Sequence, residues 1–363
     1  MTVGLFFMNG IGDHLMLLPA LRALEERLGD RAHYVGQDIG VRLLRGELPR
    51  MRFTAIPWGR GPHGGYEFQV DAALEALRDA TLLLSLVPWQ SAQLKYMLRR
   101  AANGNSIGFT PGCRRVIDYR IGEHTIDRAV RLVTTLFPET RVRAVRPRST
   151  ALGARSARHR HTRSKRMLVV HNETLAHKRW PTGRLRSTLI RVLKRHPDWI
   201  VADIARGNRG LPGRVRARTR LSLTQAFATV AAADAFLGVD SCMLHLADLH
   251  RVPGVGLFGP AEDAPLGARA MGFRFAPNRH VTGRGAMTNI PTAAVERALE
   301  WLLRRARHRP GRGPGLSFAR LPSTSGVSDE HRHRTHNPSE PDGARASDPE
   351  GTRTSQCSEA VSA

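Results

Sequence analysis

Three cysteines in 363 residues, Cys113, Cys242 and Cys357, are too few and too unevenly spaced for a disulfide framework or a cysteine-based zinc site. That poverty points to a reducing, cytoplasmic setting. No apolar run approaches the roughly 18 residues needed to cross a bilayer as a helix. The longest run near the start, residues 3–8, has no basic leader and meets Asn9-Gly10 at once. It therefore reads as a buried first strand rather than a signal peptide. Aromatic residues make up only 6%, and basic stretches such as residues 155–166 carry no interleaved Phe or Tyr on which bases could stack. The net charge of +25 is thus read mainly as solvated surface, in an arginine-rich composition with abundant Ala, Gly and Pro that fits GC-rich coding. No dedicated nucleic-acid partner is expected. A positive cleft would equally attract an anionic small molecule, so charge alone does not separate enzyme from binder.

What is present is enough chain for two α/β domains, each with its own core. Residues 3–8, then Asn9-Gly10-Ile11-Gly12-Asp13, then Leu15, Leu18, Leu21, Leu24 and Leu28 give a strand, a glycine-rich turn and a helix. Strands are predicted at 33–36, 53–57 and 81–87, a Gly/Pro loop over 58–65, and a helix around 74–77. Apolar periodicity is lost between Arg141 and Arg166, and a second series begins at Met167. It has strands at 167–170, 199–202, 235–239 and 255–258, with helices from about Thr182, over 223–233 and over 291–303. Alternating strands and helices imply parallel βαβ units. The predicted organisation is residues 1–150, a basic linker at 151–166, residues 167–305, and a polar tail at 306–363 too poor in apolar residues to offset its ordering entropy.

Three constellations carry candidate chemistry. Gly10 and Gly12 sit where a strand turns into a helix, where glycines permit close approach and free amides favour negative charge. Asp13 there is either a helix cap or a base. Lys178-Arg179-Trp180-Pro181 places two cations at another strand-to-helix turn, as phosphate ligands or as a solvated turn anchored by Trp180. The most specific is residues 233–247 followed by Pro253 and residues 255–260, in which a strand ends at Asp240-Ser241 and a helix begins. Amides there could meet phosphate oxygens, and Asp240 could hold hydroxyls. The alternatives are a capped helix for Asp240 and a buried structural histidine for His245.

In this order the three segments resemble glycosyltransferase family 9, the heptosyltransferase family. Gly12-Asp13 with Pro19, Glu173-Thr174 ahead of Lys178-Arg179-Trp180-Pro181, and Gly238-Val239-Asp240-Ser241-Cys242-Met243-Leu244-His245-Leu246-Ala247 carry the resemblance, over about residues 1–303. Ser241 replaces the family's threonine and Cys242 its glycine, which sets a side chain where a phosphate would approach. The resemblance implies a GT-B architecture, two Rossmann-like domains facing across a cleft, with inverting, metal-independent sugar transfer and no cofactor. It implies Asp13 as general base. Lys178 and the amides around Ser241 and Cys242 would neutralise the leaving diphosphate, and Glu173, Thr174, Asp240 and His245 would position the nucleotide. The implied donor is a nucleotide diphosphate sugar, ADP-heptose in the first instance. The acceptor is left open among a natural product, a glycolipid and a cell-envelope glycan, with peripheral membrane contact in scope. A GT-B sugar-nucleotide epimerase and a basic nucleic-acid-binding protein are the rival readings.

Overall fold

A computed structural model describes residues 1–60, 66–87, 89–158, 165–205, 215–259 and 264–307. The first half runs β1 (Val3–Phe7), α1 (Ile11–Leu28), β2 (Ala32–Gly36), α2 (Asp38–Arg45), β3 (Arg52–Ala55), β4 (Trp58–Arg60), β5 (Tyr66–Phe68), α3 (Val70–Ala76), β6 (Leu82–Ser85), α4 (Ala92–Arg100), β7 (Ser106–Gly108), β8 (Arg115–Val116) and α5 (Thr125–Leu136). Its main sheet is parallel with strand order β3-β2-β1-β6-β7-β8. Trp58–Arg60, expected within a loop, is instead a short strand paired antiparallel with Tyr66–Phe68. A Gly and Pro content that reads as a loop is also that of a tight hairpin.

After the short α6 (Ala154–Arg158), the second half repeats the plan: β9 (Arg166–His171), α7 (Thr182–Arg195), β10 (Trp199–Ile204), β11 (Val215–Arg218), α8 (Leu223–Ala231), β12 (Ala235–Val239), α9 (Cys242–Leu249), β13 (Gly254–Phe258), α10 (Ala264–Met271), β14 (Asn278–Thr282) and α11 (Thr292–Arg307). The order β11-β10-β9-β12-β13-β14 is again fully parallel. Numbered within each sheet, the strands of both six-stranded sheets follow the 3-2-1-4-5-6 order of dinucleotide-binding folds. Two such domains facing one another are the GT-B architecture. Helix α11 continues to Arg307, so Ala306 and Arg307, placed in the tail from sequence, are helical. The rest of that tail, 308–363, lies outside the described residues, as do 159–164 of the basic linker.

The central strands β9, β12 and β13 are buried on both faces, which is why they read as apolar runs. Along β9, Leu168 and Val170 point into one cluster and Met167 and Val169 into the other. Helix α7 meets the first of these with Leu185, Leu189, Val192 and Leu193, and α11 with Val295, Ala298, Leu299, Leu302 and Leu303. That is the i, i+4, i+7, i+8 stripe of a one-faced helix. The opposite cluster runs without a break from the first domain into Phe227, Phe236, Leu244 and Phe273 of the second. Helix α1 lies in this shared region and is buried on almost every side, touching α5 and α9.

Buried Glu47 ties the end of the first domain down. Its carboxylate accepts from the amides of Arg148 and Ser149 at 2.7–2.9 Å and pairs with Arg22 at 2.6 Å. Three residues on, the chain is fastened to the second half, where His250 Nε2 contacts the Leu152 carbonyl at 2.6 Å. Gly153 has φ +78°, and a Cβ there would come within 2.8 Å of the Phe227 carbonyl, so only glycine fits this crossing.

Candidate active site

In an open parallel sheet the crevice opens where the strand order reverses, at the carboxyl ends of the strands. In the first sheet that point lies between β1 and β6, and in the second between β9 and β12. Asp13 follows β1 in the first turn of α1. Glu173, Thr174 and Lys178 follow β9, and Asp240 and Ser241 follow β12. The chain topology alone therefore brings the sequence-predicted residues to two switch points.

The two points meet. Asp13 is partly buried, and its carboxyl is raised from 3.8 to about 7, first by burial and then by the charge of Asp240. Lys178, also from the second domain, and Arg128, from α5, pull it back down. Lys178 Nζ lies 2.8 Å from Asp240 Oδ2. His245 Nε2 is 3.9 Å from Asp240 Oδ1, and burial lowers the imidazole to about 4, so it is neutral at neutral pH. The helix starts of α1 and α9 touch. A Cβ on Gly12 would fall 2.6 Å from His245 Cδ2 and 3.4 Å from Cys242 Cα. The absent side chain at Gly12 thus makes room for the other domain's histidine rather than for a ligand.

Gly10 is the N-cap of α1 with φ −61° and ψ 160°, a conformation open to any residue, and it has no side chain to cap the helix; its backbone amide donates to the Asp13 carboxyl. Ser241 occupies the N-cap of α9, yet its hydroxyl makes no cap bond and meets His171 Nδ1 at 3.1 Å instead. This ties the ends of β9 and β12 together across the switch point. Cys242 opens α9, half-buried and in no disulfide.

Lys178 is held by a clasp at the base of its loop. The Asn172 side-chain amide donates to the Trp180 carbonyl at 2.7 Å and accepts from the Trp180 amide at 2.9 Å. The Trp180 indole is buried and donates to the Ile290 carbonyl at 3.3 Å. Arg179 turns back to the carbonyl of buried Thr174 at 2.7 Å, so the second cation of this turn serves the loop itself. Glu173 is half-buried beside them.

Four residues of this neighbourhood carried no signal in the sequence. Arg128 is buried, with its guanidinium 4.2 Å over the Tyr119 ring and its Nε without a hydrogen-bond partner. His124, one turn earlier, caps α5 and meets the Gly272 carbonyl at 2.9 Å, joining the domains. His14, next to Asp13, is buried and lowered to about 3; its Nδ1 lies 2.6 Å from the Tyr34 hydroxyl and its Nε2 3.0 Å from Gln37 Nε2. Gln37 also donates to the Asn9 carbonyl, which fixes the turn leading into α1. His171 completes the set through Ser241.

Among the described residues no group of three or more His, Cys, Asp or Glu side chains could hold a metal ion, and no helix is long and apolar enough to cross a membrane.

The model of glycosyltransferase family 9 (heptosyltransferase) matches residues 88–281, a stretch that holds the Lys178 and Asp240 segments but not Asp13. No curated protein matches the chain in sequence. Among solved structures, the family 9 glycosyl transferase of Veillonella parvula DSM 2008 superposes with a TM-score of 0.63 at 14% identity, covering 84% of this chain and 97% of that one. E. coli heptosyltransferase WaaC with ADP gives 0.60 at 15%, over 84% and 99%. E. coli ADP-heptose lps heptosyltransferase II gives 0.60 at 17%, over 85% and 100%. Identities this low speak for the fold alone, whereas the family match spans more than half of the 363 residues. The chain belongs to glycosyltransferase family 9, the heptosyltransferase family, and is a glycosyltransferase of GT-B fold.

Proposed function

We propose that the enzyme moves a sugar of the heptose type from a nucleotide diphosphate donor, ADP-heptose in the first instance, to an acceptor hydroxyl, with inversion and without a metal. The carrying observation is electrostatic. Asp13 of one domain feels both Asp240 and Lys178 of the other, so base and cation share one cleft.

Asp13 accepts the acceptor's proton as the oxygen attacks the anomeric carbon. Its carboxyl, raised to about 7, is far better matched to that task at neutral pH than an ordinary aspartate. The bond from the anomeric carbon to the diphosphate breaks as the new one forms, and its electron pair leaves on phosphate. Attack and departure on opposite faces of the carbon amount to a single inverting displacement. Lys178 and the opening amides of α9, at Ser241 and Cys242, stand where positive charge is needed to hold that diphosphate, which gives the reaction an electrostatic alternative to a divalent cation. Asp240 competes for Lys178 in the free enzyme and turns to donor hydroxyls once phosphate takes the ammonium. Glu173 and Thr174 line the same turn, and His245, neutral and buried, orients Asp240 and the start of α9.

The donor comes by analogy with relatives named for ADP-heptose and bound ADP. The acceptor is a hydroxyl on a glycolipid, a cell-envelope glycan or a natural product, and the setting is the cytoplasm, where nucleotide sugars are made. A thermal-shift panel of ADP, UDP, GDP and CMP with their sugars tests the reading. A ligand at about 100 times its dissociation constant adds about 2.7 kcal/mol, a shift of several degrees. Stabilisation by ADP and its sugars is expected, and a panel in which no nucleotide shifts the transition removes the donor site.

A further inference from the structure

Asp248, in the last turn of α9, is 2% exposed and takes no part in the proposed transfer. A carboxylate that deep is tolerated only when its oxygens are bonded. Oδ2 accepts from the Arg274 amide at 2.8 Å, and Oδ1 accepts from the amides of Phe275 and Ala276 at 2.7 and 2.8 Å. Burial raises the carboxyl to about 6, and these three amides with the Arg274 charge keep it from rising further. The amides belong to residues 272–277, which join α10 to β14. Between parallel strands the crossover returns to the amino edge, so this segment lies away from the cleft mouth. His280 of β14 fixes it from the other side: its Nε2 accepts from the Phe273 amide at 3.0 Å, and its ring stacks on that phenyl.

So held, the segment docks on the first domain. The Gly272 carbonyl meets His124 Nε2 at 2.9 Å, Thr125 donates to Met271 Sδ at 3.2 Å, and Arg274 Nε reaches both oxygens of Asp127 at 3.1 Å. Because His124 Nδ1 accepts from the Ile126 amide, Nε2 carries the proton and donates to that carbonyl. All three contacts fall on the N-cap and first turn of α5, and the next residue is Arg128. The inner face of α5, with Ile126, Ala129, Leu132 and Val133, attracts without direction, whereas the bonds to the second domain are directional. They fix the register of the helix. Arg128 then stands with its guanidinium stacked on Tyr119, its Nε without a partner, and its charge felt by Asp13.

We propose that Asp248 is a positioning residue: by holding residues 272–277 against the first turn of α5, it sets the Arg128 guanidinium in place against Asp13. Its effect on transfer rests on the reading of Asp13 as the base. Asp240 and Lys178 also face Asp13, and neither lies on this chain of contacts. The sign of the effect separates this route from plain electrostatics. Deleting the Asp248 charge would by itself ease the ionisation of Asp13 and move its titration to lower pH. Loosening Arg128 takes away a cation that favours the ionised form, and so moves the titration to higher pH.

In the full chain, isotope-labelled at aspartate Cγ, the Asp13 resonance is assigned by its loss in Asp13→Asn and followed across pH by NMR. ADP release from ADP-heptose, with water as acceptor, is measured over the same range. The titration needs no substrate, so it reads the positioning by itself. Asp248→Asn should raise the Asp13 midpoint by about half a unit. It should also lower ADP release at pH 7 about fivefold at unchanged KM for ADP-heptose, and carry the acid limb upward with the carboxyl. Asp127→Asn, on the half-exposed ion pair, likewise deletes an acid and should move the midpoint the same way, which keeps the test open if Asp248→Asn does not fold. Arg128→Met should raise the midpoint itself, and adding Asp248→Asn should then bring no further rise. A midpoint that stays or falls in both aspartate variants overturns the proposal, as does a full further rise in the Arg128→Met chain. A midpoint that rises while the acid limb of ADP release stays put overturns Asp13 as the base instead, and leaves the positioning standing.

Discussion

The two domains have the same strand order and opposite chemistry at the same place. At the first switch point the chain offers Gly10, Gly12 and a carboxyl that burial and a facing carboxylate keep near neutrality. At the second it offers Lys178, clasped by Asn172 and Trp180, and the start of α9. A shared topology therefore supplies two crevices, and side chains alone give one a carboxyl and the other a cation, the division on which the proposed transfer rests. Two further asymmetries follow. In the first domain the buried polar network behind the site, His14 with Tyr34 and Gln37, fixes a turn. In the second, His171 and Ser241 fix two strand ends to each other.

The division of labour is broken most severely at Asp13. Asp13→Ala should lower donor turnover, read as nucleoside diphosphate release in the presence of acceptor, by about a thousandfold. ADP should stabilise that variant as it does the wild type, because the loss is confined to the first domain. Lys178→Met should act on the other side, costing about a hundredfold to a thousandfold in kcat. It should also abolish the preference for ADP over AMP in thermal shift, whereas Asp13→Ala should keep it. Equal loss of ADP affinity in both variants would mean that the two crevices are one binding site. Gly12→Ala tests whether the halves are fitted to each other. The new methyl falls 2.6 Å from the His245 ring, and overpacking of this kind costs about 1–3 kcal/mol. His245→Ala in the same chain should return most of that stability in a double-mutant cycle.

Much of this frame could be read from the sequence, and the reasons it could not all be read are physical. Strands β1, β9, β12 and β13 are buried on both faces and so announce themselves as short apolar runs, and α11 by its one-sided stripe. β8, two exposed residues at a sheet edge, has no pattern to show. Asp240 and Lys178 were legible because motif and turn agree, although their mutual ion pair is a tertiary fact. Arg128 was invisible: in a chain with 56 lysines and arginines its sequence neighbourhood is ordinary, and only the docking of α5 brings it to Asp13. The capped-helix alternative for Asp240 misses by one position: the N-cap of α9 is Ser241, a residue type that favours that place. The approach of His171 from a strand 70 residues earlier redirects its hydroxyl.

The smallest effect is the sharpest on the comparison, because it asks one domain to report on the other through charge. Asp13 titrates near 7 in the folded enzyme against 3.8 as its ordinary value. Below about pH 4 both folded and unfolded chains hold the proton, and the group costs nothing. As pH rises from about 4 to about 7 the unfolded chain ionises first, so stability falls, and above about 7 the full cost stands. Asp13→Asn lacks this dependence. It should melt with the wild type near pH 4 and about 6 °C above it at pH 8, by differential scanning calorimetry. Activity runs the other way, since the base works ionised: kcat/KM should climb with pH through about 7. Asp240→Asn removes a cause that raises Asp13, so it should carry this acid limb to lower pH, whereas Lys178→Met, removing a cause that lowers it, should carry the limb upward. Opposite displacements from two residues of the second domain require Asp13 to sense both across the cleft. An acid limb that neither substitution moves would place Asp13 beyond their reach.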